Sequence, residues 1–281
     1  MAIRDPQGDG RGAVSAEAGG DAAQGRWVAA VRLAVDPRRP FAIALGGLIA
    51  IAWLSLWLWG QSPYGRFLSH QGIDTAGGGG VLALTFVGGW TLMIVAMMLP
   101  SSLPLVLMFG VLTRQRADRF QLLGLLLLGY LCTWATFGAA IHAGDLGLHA
   151  AVRQVDWLGS HAWVIGAATL VGAGLYQFSP LKYRCLEKCR SPLSFITEHW
   201  RGRGERGHAF RLGVHHGLFC VGCCWLLMVL MFAVGIGNLG WMLTLGAVMA
   251  LEKNVRWGKR ISAPLGVVLM GAGLGVVLAG S

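Results

Sequence analysis

The segment Gly213-Val214-His215-His216-Gly217-Leu218-Phe219-Cys220-Val221-Gly222-Cys223-Cys224-Trp225 places two imidazoles and three thiols within ten residues. Thiolate and imidazole are the donors that soft and borderline metal ions select, so Cu(I) comes first and Zn(II) second, ahead of Mg or Ca. On a helix, where each residue turns about 100°, His216, Cys220 and Cys223 share one face. Cys224 lies at the edge of that face, and His215 is turned away from it. His216 and Cys223 are about 10 Å apart along the axis. Metal–ligand bonds are about 2.0–2.3 Å, so no single ion reaches both. Neighbours can share an ion: His216 with Cys220, and Cys220 with Cys223 or Cys224. The spacing therefore predicts a ladder of low-coordinate positions rather than one closed tetrahedral cage. The competing account is that cysteine is a small residue that packs well between helices. It suffices for the lone Cys132 but strains at five donors in so short a run.

Other residues could join. Cys185 and Cys189 form a second pair, flanked by Lys182, Arg184 and Arg190. On the cytoplasmic side such a pair is not expected to be a stable disulfide. Met93, Met97, Met98, Met228 and Met231 carry thioethers that suit Cu(I), although methionine also packs as an ordinary apolar residue. Glu252, beside Lys253, is a candidate carboxylate ligand or proton acceptor; the pair could equally sit at an interface. His142 and His149 could make an outer site or be solvated. Two alternatives use the same residues. Cys220 and Cys223 have the dithiol spacing of a thiol–disulfide or quinone-linked oxidoreductase, but the adjacent Cys224 and the lack of an outer cysteine pair count against it. A soft-metal transporter would need a route beyond Met231 supplied by other helices. No phosphate-binding Gly-rich loop with Lys and Ser/Thr occurs, which argues against ATP-driven transport by this chain alone.

The elements that must position these residues are hydrophobic. Of 281 residues, 55% are hydrophobic and 13% charged, against roughly 25% charged in an average soluble domain. A membrane span needs about 20 apolar residues. Residues 41–59 give the first. Residues 81–113 are uncharged but contain Pro100 and Pro104, which predicts a helix that kinks or ends near Pro100. Residues 121–144 and 157–179 give the third and fourth. A hydrophilic loop follows at 181–211. The forty residues 212–251 then carry no Asp, Glu, Lys or Arg. As one helix they would measure about 60 Å, twice the hydrocarbon thickness. They must form a hairpin, and the Gly-rich stretch 235–240 supplies the turn. The fifth and sixth spans are then 212–234 and 239–254, and 261–280 is the seventh.

Charge sets the orientation. The net charge is +10. With the N-terminus inside, twenty-one of the twenty-three Lys and Arg fall on the inner side, and only Arg66 and Arg153 fall outside. This distribution obeys the positive-inside rule and removes nucleic acid as the reason for the basic balance. The reading is an all-α polytopic transmembrane bundle of about seven spans in a bacterial cytoplasmic (inner) membrane, N-terminus cytoplasmic and C-terminus outside. Residues 1–38, rich in Gly, Ala and Asp, read as a disordered cytoplasmic tail. No apolar core follows the start closely enough for a cleaved signal peptide. Residues 39–281 make the multi-pass domain, with the cytoplasmic loop 181–211.

Three stretches carry a family resemblance. Trp90, Met93, Ala96-Met97-Met98-Leu99-Pro100 and Pro104 form the first. Tyr176-Gln177, Pro180-Leu181-Lys182, Cys185-Leu186 and Cys189-Arg190 form the second. His216-Gly217, Cys220, Gly222-Cys223-Cys224-Trp225, Met228 and Glu252-Lys253 form the third. Together, over roughly 40–280, the chain resembles the bacterial predicted metal-binding integral membrane proteins, a domain of unknown function. Relatives have been associated with copper supply to copper oxidases such as tyrosinase. The resemblance implies a copper chaperone or copper-handling membrane factor, with a copper-enzyme client or a metallochaperone as partner. It covers Cys185, Cys189, Cys220, Cys223 and Cys224, and does not obviously cover His215. The expected function is metal binding and delivery rather than enzymatic turnover. The ladder would carry Cu(I), or else zinc, between the cytoplasmic third and the middle of the bilayer.

Overall fold

Long apolar runs with few polar side chains leave the backbone to satisfy itself, and the α-helix does so within one segment. The computed structural model describes residues 40–61, 79–161, 163–200, 206–234 and 239–280. Among these it forms ten helices and no strand. They are α1 (Pro40–Gln61), α2 (Gly79–Leu112), α3 (Arg119–Gln154), α4 (Asp156–Ser160), α5 (Trp163–Tyr176), α6 (Pro180–Arg190), α7 (Pro192–His199), α8 (Arg206–Val234), α9 (Leu239–Asn254) and α10 (Lys259–Gly280). The tail 1–38 and most of the loop 61–80 lie outside the described residues. Residues up to Leu45 belong to one unit and the remainder, from Gly46, to another. The candidate ligands and the helices that hold them all lie in the second unit.

Five helices are long and apolar enough to cross a membrane, or six if α5 and α6, bent 63° to each other, count as one broken span. Two of the seven expected spans are therefore short. Helix α5 has 14 residues and α9 has 16, so α9 is about 24 Å long against a hydrocarbon core of about 30 Å. Helix α2 does not end at Pro100 but runs on to Leu112. Proline has no N–H, so the carbonyl four residues earlier loses its helical donor. That carbonyl belongs to Ala96, and the indole of Trp53 on α1 donates to it at 2.9 Å. The defect in one helix becomes the docking point of another.

The segment expected as a cytoplasmic loop, 181–211, is largely helical. Ser179 caps α6, its hydroxyl accepting from the Leu181 N–H at 3.2 Å, and Pro180 occupies the first helical position. Pro192 starts α7 in the same way. Helix α6 packs on α8, and the most extensive pairings in the bundle are α3 with α8 and α5 with α10. Glycine permits the first of these. A Cβ on Gly213 of α8 would overlap the carbonyl oxygen of Leu126, and one on Gly129 of α3 would overlap that of Phe210. The two backbones therefore touch, as small residues allow between apolar helices.

Candidate metal centre

The α8 residues expected to form a ladder pack against four other helices. Cys220, Cys223 and Cys224 project from the middle of α8 and are at most 1% exposed. The thiols of Cys223 and Cys224 both donate to the Cys220 carbonyl at 3.0 Å, which holds them on one side of the helix. The Cys189 thiol of α6 interacts directly with that of Cys223, and Cys223 in turn interacts with Cys220 and Cys224. Cys185, one turn earlier on α6, is buried against Gly222, where a Cβ would lie 2.6 Å from its sulfur. The glycine of Gly222-Cys223-Cys224-Trp225 thus makes room for the second cysteine pair. Tyr176 fixes the same turn, its hydroxyl donating to the Gly222 carbonyl and its ring meeting Trp225 edge-on at 5.6 Å. Cys185 and Cys189 sit beside the cluster rather than ahead of it. All six cysteines are free thiols, and Cys132 is exposed, away from the rest.

Polar groups from other helices converge on Cys220. The Lys253 ammonium of α9 donates to the Cys220 sulfur at 3.0 Å, to Ser101 Oγ at 3.1 Å and towards Met98 Sδ at 3.9 Å. The Tyr130 hydroxyl of α3 lies 3.3 Å from the same sulfur and accepts from Ser102 at 3.2 Å. Met98 Sδ also receives the Cys224 thiol at 3.9 Å, so this methionine joins the cluster. Met97 packs instead on Gly246 of α9. Met228 is fully buried one turn beyond Cys224.

Glu252 takes another partner. It is 2% exposed, and its carboxylate accepts from Lys182 Nζ at 2.8–2.9 Å and from Ser262 at 2.6 Å, while Gln177 accepts from the same lysine. Adjacent residues on a helix point about 100° apart, so Glu252 is tied to α6 and α10 while Lys253 faces the thiols. Neither residue sits at an exposed interface. Arg190 of α6 donates to the backbone carbonyls of Glu252 and Arg256, closing orphan acceptors at the end of α9 and holding Lys253 in register. Buried charges are therefore unequal: Lys182 has a carboxylate, whereas Lys253 is surrounded by thiols, a thioether and a hydroxyl.

His216 is 3% exposed, stacks on Tyr130 at 5.7 Å, and neither of its ring nitrogens has a hydrogen-bond partner. A buried polar group without a partner is costly, and a soft cation is one group that would satisfy it. His215 is exposed. At the far end of α3, His149 is bound to the Asp145 carbonyl at 2.9 Å. Among the described residues no three His, Cys, Asp or Glu side chains are arranged to hold one ion. The donor set fits an ion of low coordination number, as the axial spacing on α8 required, and not a four-ligand cage.

Some of these residues were not among the sequence candidates: Lys253 as a partner of sulfur, Tyr130, Ser101 and the Lys182–Glu252 pair. The Glu252-Lys253 doublet in an apolar run and Lys182 in a family-like stretch were their sequence signals; Tyr130 and Ser101 had none. The three family-like stretches do converge here, through Met98 on Cys224, Cys189 on Cys223, and Lys182 on Glu252.

The described residues thus form an all-helical bundle with a buried cluster of thiols beside a lysine. Residues 87–276 match the family model PpoB2, described as copper chaperone, and the chain belongs to that family. No curated protein and no solved structure matches it.

Proposed function

We propose that the chain is a membrane-embedded copper carrier that holds Cu(I) as cargo on cysteine sulfurs of α8, with those of α6 alongside, and passes it to a copper enzyme or metallochaperone. The observation that carries this reading is the burial of Cys220, Cys223 and Cys224, with half-buried Cys189 against them and the Lys253 ammonium 3.0 Å from Cys220, where among the described residues no carboxylate partners it. A Cu(I) ion between two thiolates has charge −1, and Lys253 brings the sum to zero. Neutrality matters where the surroundings are apolar and charge is expensive. A Zn(II) ion would want four donors, which the arrangement does not offer. Cys220 with Cys223 or Cys224 is the leading position, Met98 lies against Cys224 and Cys189 against Cys223, Cys185 packs on Gly222, and His216 is the next donor along α8.

Membrane embedding is supported by five long apolar helices and by apolar side chains turned outward, among them Ile51 and Leu54 on α1 and Val267, Val268 and Leu278 on α10. Large exposed apolar surfaces need a non-aqueous partner. A bacterial inner membrane with the N-terminus inside follows from the distribution of Lys and Arg. Protein purified under reducing conditions is expected to retain copper, and Cys220/Cys223/Cys224→Ser protein to lose it. Copper content equal in the two would sink the assignment.

A further inference from the structure

A second group of donors lies outside the thiol cluster. Helix α7 ends in His199, whose ring meets that of His215 at 5.0 Å between centroids and 74° between planes. The two residues come from different helices, and α7 is fixed rather than loosely attached. Phe195 is fully buried, Trp200 meets Phe109 of α2 edge-on at 5.0 Å, and Lys188 of α6 donates to Glu198 at 2.6 Å. His199 Nδ1 lies 2.9 Å from the Phe195 carbonyl. A carbonyl can only accept, so that nitrogen carries the proton and Nε2 keeps its lone pair. Metal-binding histidines are commonly oriented in this way, with the second nitrogen donating to a backbone carbonyl.

The residues behind this pair point to a ligand. The Phe195 ring is 4.4 Å from His199 on one side and 5.6 Å from His216 on the other. His216 is buried with both nitrogens unpartnered. Cys220 follows one helical turn further along α8, about 6 Å on. The order is an exposed and a half-buried imidazole, an aromatic ring, a buried imidazole and then the first thiol.

We propose that His199 and His215 form a two-imidazole loading site for Cu(I), which accepts the ion where α7 meets the third turn of α8 and passes it by way of His216 to Cys220. This rests on the reading of the chain as a copper carrier. Neutral imidazole is a suitable donor for copper, and two of them bind weakly enough to release the ion to sulfur. No electron moves. The transfer breaks a Cu–N bond and forms a Cu–S bond. Where Cys220 arrives as a thiol, its proton passes to the vacated imidazole, so charge is conserved.

The test uses the full-length reduced protein in detergent, with a Cu(I)–chelator complex as donor. Uptake is followed by stopped-flow absorbance and the bound ion by X-ray absorption. His199→Ala/His215→Ala protein is expected to keep its cysteine-dependent copper and its thermal transition but to load about tenfold more slowly or worse, the scale on which site-orienting groups act. Cys220/Cys223/Cys224→Ser protein, which loses its copper on purification, is expected to show nitrogen-bound copper only while the Cu(I) donor is in excess, and that signal disappears when His199→Ala/His215→Ala is added. An unchanged loading rate, or no nitrogen-bound copper in the cysteine variant, overturns the loading site while leaving the carrier reading intact. Wild-type protein that binds no copper overturns both.

Discussion

Lys253 is the residue on which the chemistry of the cluster turns. Its ammonium reaches Cys220, Ser101 and Met98 from a buried position, and its role as counter-charge makes a direct prediction. Lys253→Met keeps the length of the side chain and removes the charge. Hydrogen bonds to charged groups contribute about 1.5–3 kcal/mol, so Cu(I) affinity should fall by roughly 10- to 100-fold, measured by competition with a Cu(I) chelator. An unchanged affinity would remove Lys253 from the site. The contrast with Glu252 shows what the sequence could disclose. The common face of His216, Cys220 and Cys223 follows from local spacing, because a helix fixes which residues are neighbours. Which member of the Glu252–Lys253 doublet faces the thiols depends on the rotation of α9, which its partners α2, α6 and α10 set. Local spacing carries no information about that rotation. The same holds for Tyr130, which no motif marks and which reaches Cys220 only because α3 crosses α8.

That crossing belongs to the scale of elements. It was not legible from hydropathy, since an apolar helix has no single apolar face and its partner is chosen by shape. Gly129 and Gly213 are the shape in question. Gly213→Ala would drive a methyl group into the Leu126 carbonyl, with the backbone N–H of Tyr130 3.0 Å away. Overpacking costs about 1–3 kcal/mol, and separation of the helices would carry Tyr130 away from Cys220. Thermal unfolding in detergent should show a lower midpoint, with reduced copper retention. Gly124→Ala, in the interior of the partner helix α3 but with open space around the position, should do the opposite, because alanine gains about 0.5–1 kcal/mol over glycine in a helix interior. Equal effects from the two would mean that the close approach of α3 and α8 does not matter. Helix positions themselves were well marked by composition: α9 matches the expected 239–254, and α10 begins within two residues of expectation. The long polar segment 181–211 was less so, because α6 is held by its Ser179 cap and by packing on α8, and α7 chiefly by packing on α2, rather than by a hydrophobic run.

At the scale of the whole chain, the short helices and the charge distribution must be reconciled. If only the five long helices crossed the membrane, α3 would leave the chain outside and α8 would start there. The basic residues of 182–211 would then lie on the outer side, against the positive-inside rule. In the proposed orientation helix α5, continued by the bent α6, would return the chain to the inner side, and α9 would do the same before α10. Helix α9 is short for the purpose, but its inner end does not face lipid. Glu252 is buried against Lys182 of α6 and Ser262 of α10, and Lys253 against Cys220 of α8 and Ser101 of α2, so protein rather than hydrocarbon surrounds the last turn. Lys182 and Lys253 lie inside the bundle, which leaves nineteen basic residues to set orientation, still against two. Alkaline phosphatase, active only outside the inner membrane, reports the outcome. Fusions ending at 205 and 258 should be inactive, and a fusion at Ser281 active. Activity at 205 would mean that α5 does not return the chain, and the cytoplasmic loading side would have to be reassigned. Activity at 258 together with inactivity at 281 would mean that α9 stays within one leaflet and α10 runs inward, so the C-terminus would lie in the cytoplasm.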